Sequence, residues 1–205
     1  MKGFFISFEG IDGCGKTTQI KILLDKLNSF NRKTVLIREP GGTDISEKIR
    51  SILLDQGNEE LCYHAETLLF LSSRAQLVDQ KIIPALDNGE IVVSDRYSDS
   101  TEAYQGIGRN IGQQVIRELN NFATQNIYPN ITFIIDIDYE EVIKRKVFNS
   151  DRMELNDKNF FIKISNYYKK LSSNNASRYY VIDGADSIEN IHKEIWRITC
   201  NALDI

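Results

Sequence analysis

Long apolar runs are missing from this chain of 205 residues. Nothing approaches the length of a membrane-spanning helix, and the apolar stretch near the start, Phe4-Phe5-Ile6-Ser7-Phe8, is cut short by Glu9. That stretch has the form of a buried first strand, not of a signal peptide. Cysteine is scarce. Cys14, Cys62 and Cys200 are scattered, odd in number and without a C-x-x-C spacing, which argues against a disulfide framework and a zinc site and fits a reducing cytoplasm. An excess of positive charge is also lacking: 25 Lys and Arg against 29 Asp and Glu give a formal charge of -4, which argues against nonspecific nucleic-acid binding as the main task. Any anion site must therefore be local. His64 and His192 have no carboxylate or second histidine at ligand spacing, so surface or interface roles are expected of them. The single Trp196 is expected to pack on a terminal helix. Proline is rare and asparagine frequent, a mark of base composition, and no internal repeat is present. At 41% hydrophobic and 26% charged, the chain has the mix of one soluble domain with a full core.

What is present begins with Gly10-Ile11-Asp12-Gly13-Cys14-Gly15-Lys16-Thr17, which fits G-x-x-x-x-G-K-[ST] directly after the apolar strand. Glycines let the backbone curl so that N–H groups converge on phosphate oxygens, a lysine reaches the β and γ phosphates, and a hydroxyl ligates Mg²⁺. Lys16 and Thr17 take the last two roles. The loop leads into Ile20, Leu23, Leu24, Leu27 and Phe30, an apolar helical stripe whose N-terminus faces the phosphates. The glycines do not fall in the G-x-G-x-x-G spacing of a dinucleotide fold.

Short apolar runs recur: Lys33 to Arg38, Ile91-Val92-Val93, Ile131 to Ile137 and Tyr179 to Ile182. Unalternating runs of this kind suit parallel strands buried on both faces. Helical patterns lie between them, at Leu68, Leu71, Ala75, Val78 and Ile82, and at Ile188, Ile191, Ile195 and Ile198. Asp138 with Glu141, and Asp186 with Glu189, have capping-box spacing. The β-then-α order predicts a doubly wound sheet of about five parallel strands, with ligands at the strands' carboxyl ends. Polar clusters fall at those ends: the glycine loop, Arg38-Glu39-Pro40-Gly41-Gly42, and Asp95-Arg96-Tyr97. An Asp there can hold Mg²⁺ and an Arg can fork onto phosphate oxygens; a surface ion pair is the competing reading.

These pieces, joined by Phe70 with Arg74, Ser100-Thr101-Glu102-Ala103-Tyr104-Gln105-Gly106 and Asp151-Arg152-Met153-Glu154, resemble the thymidylate kinases over nearly the whole chain. The resemblance implies an α/β P-loop nucleoside monophosphate kinase fold, a single domain over 1–205 with a mobile lid around 144–156. It implies phosphorylation of dTMP to dTDP with ATP and Mg²⁺ in the cytoplasm, by a homodimer to which the helix bearing Phe70 contributes. Gly10, Ile11, Asp12, Gly13, Cys14, Gly15, Lys16, Thr17 and Thr18 then bind ATP, with Thr17 and Asp95 at the metal. Phe70 stacks on thymine and Arg74 bonds its exocyclic oxygen, two residues four apart on one helix face. Thr101 and Gln105 lie near the base edge, Tyr104 packs where a ribose 2′-hydroxyl would sit, and Arg50 and Arg96 grip the acceptor phosphate. Asp12 accepts from the sugar 3′-hydroxyl, and Glu39 belongs to the metal and phosphate network. Glu9, Ser100 and Glu102 are read as structural, and Asp183-Gly184-Ala185 as lying near adenine.

The acceptor phosphate is largely dianionic at neutral pH and needs no general base. The protein's task is in-line alignment and relief of repulsion between two polyanions. The family's mobile arginine is absent from the loop, where Gly13 stands, so the bacterial arrangement with lid arginines is expected. Arg145 and Arg152 are the candidates, in the stretches Lys144-Arg145-Lys146 and Asp151-Arg152. Part of that charge forms i,i+4 pairs, Glu141 with Arg145 and Glu140 with Lys144, which could merely decorate a helix. Two other readings stay open: another P-loop nucleoside or nucleotide kinase, or a nucleotide-binding regulatory switch.

Overall fold

In the computed structural model, residues 3–145, 152–174 and 177–205 are described. The apolar runs become five parallel strands, β1 (Phe4–Glu9), β2 (Thr34–Arg38), β3 (Ile91–Asp95), β4 (Ile131–Asp136) and β5 (Tyr179–Asp183), in the spatial order β2-β3-β1-β4-β5. β1, β3 and β4 are buried along most of their length, as unalternating runs require. β2 and β5 are edges, and there the expectation of two buried faces is corrected: Leu36 and Val181 are exposed.

The strands alternate with α1 (Lys16–Ser29), α2 (Asp44–Leu54), α3 (Tyr63–Leu77), α4 (Ile83–Asp87), α5 (Ser98–Thr101), α6 (Gln113–Thr124), α7 (Tyr139–Arg145), α8 (Lys158–Asn174) and α9 (Ile188–Leu203). π-helical turns at Val78–Ile82 and Glu102–Gly108 join α3 to α4 and extend α5. The period of two on β1 divides the core. Ile6 and Phe8 belong to a large cluster with Leu23 and Leu27 of α1 and Ile195 of α9, while Phe5 joins Leu77, Val78, Ile82 and Val92. Each such side chain removed from water contributes about 1.5–3 kcal/mol.

Of the two helix starts expected from sequence, α7 begins directly after Asp138 as expected and α9 needs correction. The N-cap of α9 is Ser187, whose Oγ accepts from the Asn190 N–H; Asp186 instead accepts from the Ser187 N–H at 2.6 Å. At α7 it is the main-chain carbonyl of Asp138 that accepts from the Glu141 and Val142 N–H groups. The charges on α7 also pair otherwise than expected, Lys144 with Glu141 and Glu140 with Lys158. Leu68 is exposed while Leu71 is buried, so the stripe on α3 faces the core only in part. Trp196 packs on Phe30, with ring centroids 5.2 Å apart.

Strand order fixes where the site must lie. The chain leaves β1 toward β2, returns to β3, then crosses to β4 on the other side of β1. This reversal opens a crevice at the carboxyl end of β1. Phe8 stands in register with Asp95, so the loop after β1 and the turn after β3 emerge side by side.

Candidate active site

The glycine loop is built by backbone geometry. Gly10 has φ +138°, and a Cβ there would lie 2.6 Å from the Ile135 carbonyl oxygen, so a side chain is excluded twice over. Gly15, at φ +105°, caps α1, whose first residue is Lys16. The Lys16 ammonium is buried and donates to the Gly10 and Ile11 carbonyls, each at 3.1 Å. Thr17 donates from Oγ1 to Asp95 Oδ2 at 3.0 Å, joining loop and β3.

The turn after β3 places Arg96 in a left-handed conformation at φ +72°, unusual for a residue with a side chain. Three contacts hold it. The Arg96 N–H donates to the Phe8 carbonyl at 3.0 Å, Ser94 Oγ donates to the Arg96 carbonyl, and the Tyr97 N–H donates to Glu9 Oε1 at 2.8 Å. Glu9 also accepts from Ser100 Oγ at 2.6 Å and Tyr168 OH at 2.8 Å. Burial pushes its carboxyl above the ordinary value, with Arg96 opposing. The Arg96 guanidinium so aimed reaches Asp12 Oδ1 at 2.7 Å and lies 5.0 Å over the Tyr104 ring, and Tyr104 OH donates to Asp12 Oδ2 at 3.2 Å. Burial would raise the Asp12 carboxyl, but the charges of Arg96 and Lys16 outweigh it and hold the group well below the usual carboxylate range.

Beyond Arg96 the crevice widens into a pocket on α3. Arg74 is fully buried, and all five of its N–H donors have acceptors. Nε donates to Glu39 Oε2 at 2.8 Å and Nη2 donates to the same oxygen; Nη1 donates to Thr101 Oγ1 and Asn120 Oδ1, both at 2.8 Å; Nη2 also donates to the Tyr97 carbonyl at 3.1 Å. Burial raises the Glu39 carboxyl, with Arg74 opposing, and Glu39 Oε1 is buried without a partner among the described residues. The segment Arg38 to Thr43 turns into α2, whose first turn is capped by Thr43 Oγ1 accepting from the Ser46 N–H at 3.1 Å. Arg50 of α2 donates to the Pro40 carbonyl at 2.9 Å.

All of this surrounds one cavity of about 490 Å³. Its donor end is walled by Asp12, Gly13, Gly15, Lys16, Thr17 and Thr18, and Asp95 lies across from Thr17. Arg96, Arg50, Glu39 and Tyr104 line its middle, and Phe70, Arg74, Thr101 and Gln105 its far end. The structure thus brings most of the residues singled out from sequence to one place. Gly10, Ile11 and Cys14 are not on the wall; Ile11 and Cys14 are buried in the core beneath the loop. Neither Arg145 nor Arg152 reaches it. Arg145 donates to the Gly184 carbonyl at 2.9 Å, and Arg152 pairs with Glu66 at 2.8 Å while its Nε donates to the Leu53 carbonyl at 2.8 Å. Lys146 and Asp151 lie outside the described residues. Leu54, Met153, Arg38 and Pro40 line the cavity without having been singled out as ligand contacts. The anchor Glu9 had one available signal: it is a carboxylate closing a strand that is otherwise nearly all apolar.

The glycine loop with Lys16 and the side chains of Arg96, Arg74 and Phe70 thus line one cavity. The family model described as "Thymidylate kinase" matches residues 8–195. The chain belongs to the thymidylate kinase family. A thymidylate kinase of Thermosipho africanus is 50% identical, covering 93% of this chain and 94% of its own. One of Fervidobacterium nodosum is 46% identical over 95% and 97%. The crystal structure of thymidylate kinase from Ehrlichia chaffeensis superposes with a TM-score of 0.78 at 34% identity, over 97% of this chain and 99% of that one. As an enzyme of this family the chain has the P-loop nucleoside monophosphate kinase fold, and among its described residues no helix is long and apolar enough to cross a membrane.

Proposed function

We propose that this enzyme transfers the γ-phosphoryl group of ATP to the phosphate of dTMP, giving ADP and dTDP. The observation that carries the reading is the continuity of the cavity. Lys16, at the start of α1, lines the same cavity as Arg96, Phe70, Thr101 and Gln105, which suits a triphosphate at the glycine loop and a base against Phe70. On binding, Lys16 Nζ exchanges its two carbonyl acceptors for phosphate oxygens. Asp12 holds Arg96 and Tyr104 together and is ionised at all working pH values, so it is suited to accept from the sugar 3′-hydroxyl. Tyr104, wedged against Arg96, closes the space a ribose 2′-hydroxyl would need. Phe70 stacks the base above the Arg74–Glu39 frame.

The residues fit Mg²⁺. No cluster of three acidic or imidazole ligands exists among the described residues, but Mg²⁺ on a nucleotide needs only one or two protein oxygens besides water and phosphate. Thr17 Oγ1 and Asp95 would supply them, and Glu39 Oε1, without a partner among the described residues, belongs to the surrounding metal and phosphate network. Bound there, the ion would neutralise charge on the transferring phosphates. The same reading assigns 144–156 the role of lid and gives Arg145 and Arg152 jointly to the transition state, on the strength of their flanking position. It places the enzyme in the cytoplasm as a homodimer. Ile45, Ile52, Leu68 and Phe122 leave apolar surface exposed on α2, α3 and α6, of which α2 and α6 both pack on α3, and a second copy would cover it.

The test is ADP formation measured side by side with dTMP, dUMP, the ribose analogue of dTMP and no acceptor. Turnover with dTMP well above the others is expected. Equal ADP release with and without acceptor would leave a nucleotide-hydrolysing switch in place of the kinase.

A further inference from the structure

Behind the wall of the pocket, and not on it, lies Glu66 of α3, a fully buried carboxylate. It accepts from Gln105 Nε2 at 2.9 Å and from Arg109 Nε at 3.2 Å on one oxygen, and pairs with Arg152 Nη1 at 2.8 Å on the other. Arg109 is held in turn between the Tyr63 and Phe160 rings, 4.5 and 4.9 Å from their centroids, and donates to Asn156 Oδ1 at 2.6 Å. Arg109, with its Nη2 also 3.5 Å from the second oxygen, spans both oxygens of Glu66 and, being clamped itself, holds the carboxylate whether or not Arg152 stays on it.

We infer that Glu66 is a specificity-determining positioning residue that locks the side-chain amide of Gln105 in one orientation, so that the pocket presents an acceptor to a pyrimidine carrying hydrogen at N3. An ionised carboxylate only accepts, so it must face the amide nitrogen of Gln105 and turn its oxygen away. Gln105 is itself buried and lines the cavity. An oxygen held there suits thymine or uracil, whose N3 is a donor, and opposes cytosine, whose N3 is an acceptor and whose exocyclic nitrogen replaces an oxygen. A glutamine free to rotate would serve either base. Specificity of this kind comes from leaving a buried polar atom of the wrong ligand unpaired. The inference rests on the far end of the cavity being the acceptor-base pocket.

The test compares kcat/KM for dTMP and dCMP in the wild type, Glu66→Gln and Glu66→Asp. Glutamine at 66 both donates and accepts, so Glu66→Gln should cut the dTMP-over-dCMP preference by about tenfold or more. Glu66→Asp, still only an acceptor, should keep the preference even where KM rises. Loss of overall activity with the preference intact in Glu66→Gln would overturn the inference and leave Glu66 structural. A wild type that does not phosphorylate dTMP would instead defeat the underlying reading. Should Glu66→Gln not fold, the wild-type Gln105 side-chain amide, assigned by NMR through Gln105→Met, decides. One Nε2 proton slow to exchange both with and without dTMP is expected, and solvent-rate exchange of both protons overturns the proposal.

Discussion

Replacing Arg74 by methionine isolates what the buried ion pair contributes. The substitution keeps much of the side chain's length and removes five donors at once. Asn120, Thr101 and the Tyr97 carbonyl lose one partner each, and Glu39, only 4% exposed at its side chain, loses its counter-charge. Breaking a buried pair from one side costs about 3–5 kcal/mol, and in a chain of this size each kcal/mol lowers Tm by roughly 2–4 °C. Arg74→Met should therefore melt roughly 6–20 °C below the wild type without nucleotide. The deficit should depend on pH. Burial already raises the Glu39 carboxyl above its ordinary 4.5, and Arg74 restrains that rise. A carboxyl whose folded pKa is raised favours the folded state at low pH, and that advantage disappears as pH climbs through the folded value. Without Arg74 the folded value moves higher still, so the deficit is larger at pH 8 than at pH 5. Thermal unfolding followed by circular dichroism at both pH values reads this directly. Glu39→Gln added to Arg74→Met should restore part of the loss, because an uncharged amide is cheaper to bury. A Tm within about 2 °C of the wild type, or a deficit independent of pH, would refute the reasoning.

Chelation with EDTA should abolish ADP formation and Mg²⁺ should restore it, while Thr17→Ala raises the Mg²⁺ concentration for half-maximal rate about tenfold; an unchanged Mg²⁺ titration removes Thr17 from the metal site. Arg152→Ala should lower turnover about tenfold or more with little change in dTMP affinity by calorimetry, and near-normal turnover would take Arg152 out of the transition state. Since Arg96 and Lys16 keep Asp12 ionised, Asp12→Asn should lower kcat/KM for dTMP by a similar factor at pH 6 and pH 8. A factor that grows with pH would show Asp12 titrating in that range. Phe122→Glu should convert the proposed homodimer to a monomer by light scattering, and an unaltered mass would move the interface elsewhere.

What sequence could show depended on the range of the interactions involved. The loop from Gly10 to Thr17 is legible because its function is written in consecutive residues, and the strands because burial on two faces needs continuous apolar runs. The edge strands were overestimated for the same reason: Leu36 and Val181 carry the same apolar signature as Val92 and Ile134 but lie on the two edge strands, where they stay exposed. Helix starts failed where two capping candidates stood side by side, since Asp186 and Ser187 are both competent and only the extended backbone at Ser187 decides. Partners from distant segments were beyond reach. That Arg152 finds Glu66, 86 positions earlier, and that Arg74 finds Glu39 and Asn120, follows from how α2, α3 and α6 pack, which no local pattern encodes.

The two arginines at the centre of the site, expected from sequence at the base and at the acceptor phosphate, differ in how many of their donors the fold has already used. Both are buried or nearly so, and both pair with a carboxylate across the crevice. Arg74 has an acceptor for every one of its N–H groups, so a base oxygen can only share one of them, and its main effect is to hold Glu39, Thr101 and the α5 turn in place. Arg96 donates to Asp12, Tyr104 and Ser100, while its Nε–H has no acceptor among the described residues and its side chain keeps 14% exposure toward the cavity. A guanidinium with unspent donors, aimed by a strained backbone turn that Glu9 secures from behind, is the one able to take on a second anion. The net charge of -4 is no obstacle to such a site. Repulsion between two phosphate groups is relieved by the few cations within several ångströms, because charges elsewhere on the surface are screened over about 10 Å. It follows that charge changes far from the crevice should leave phosphoryl transfer nearly untouched.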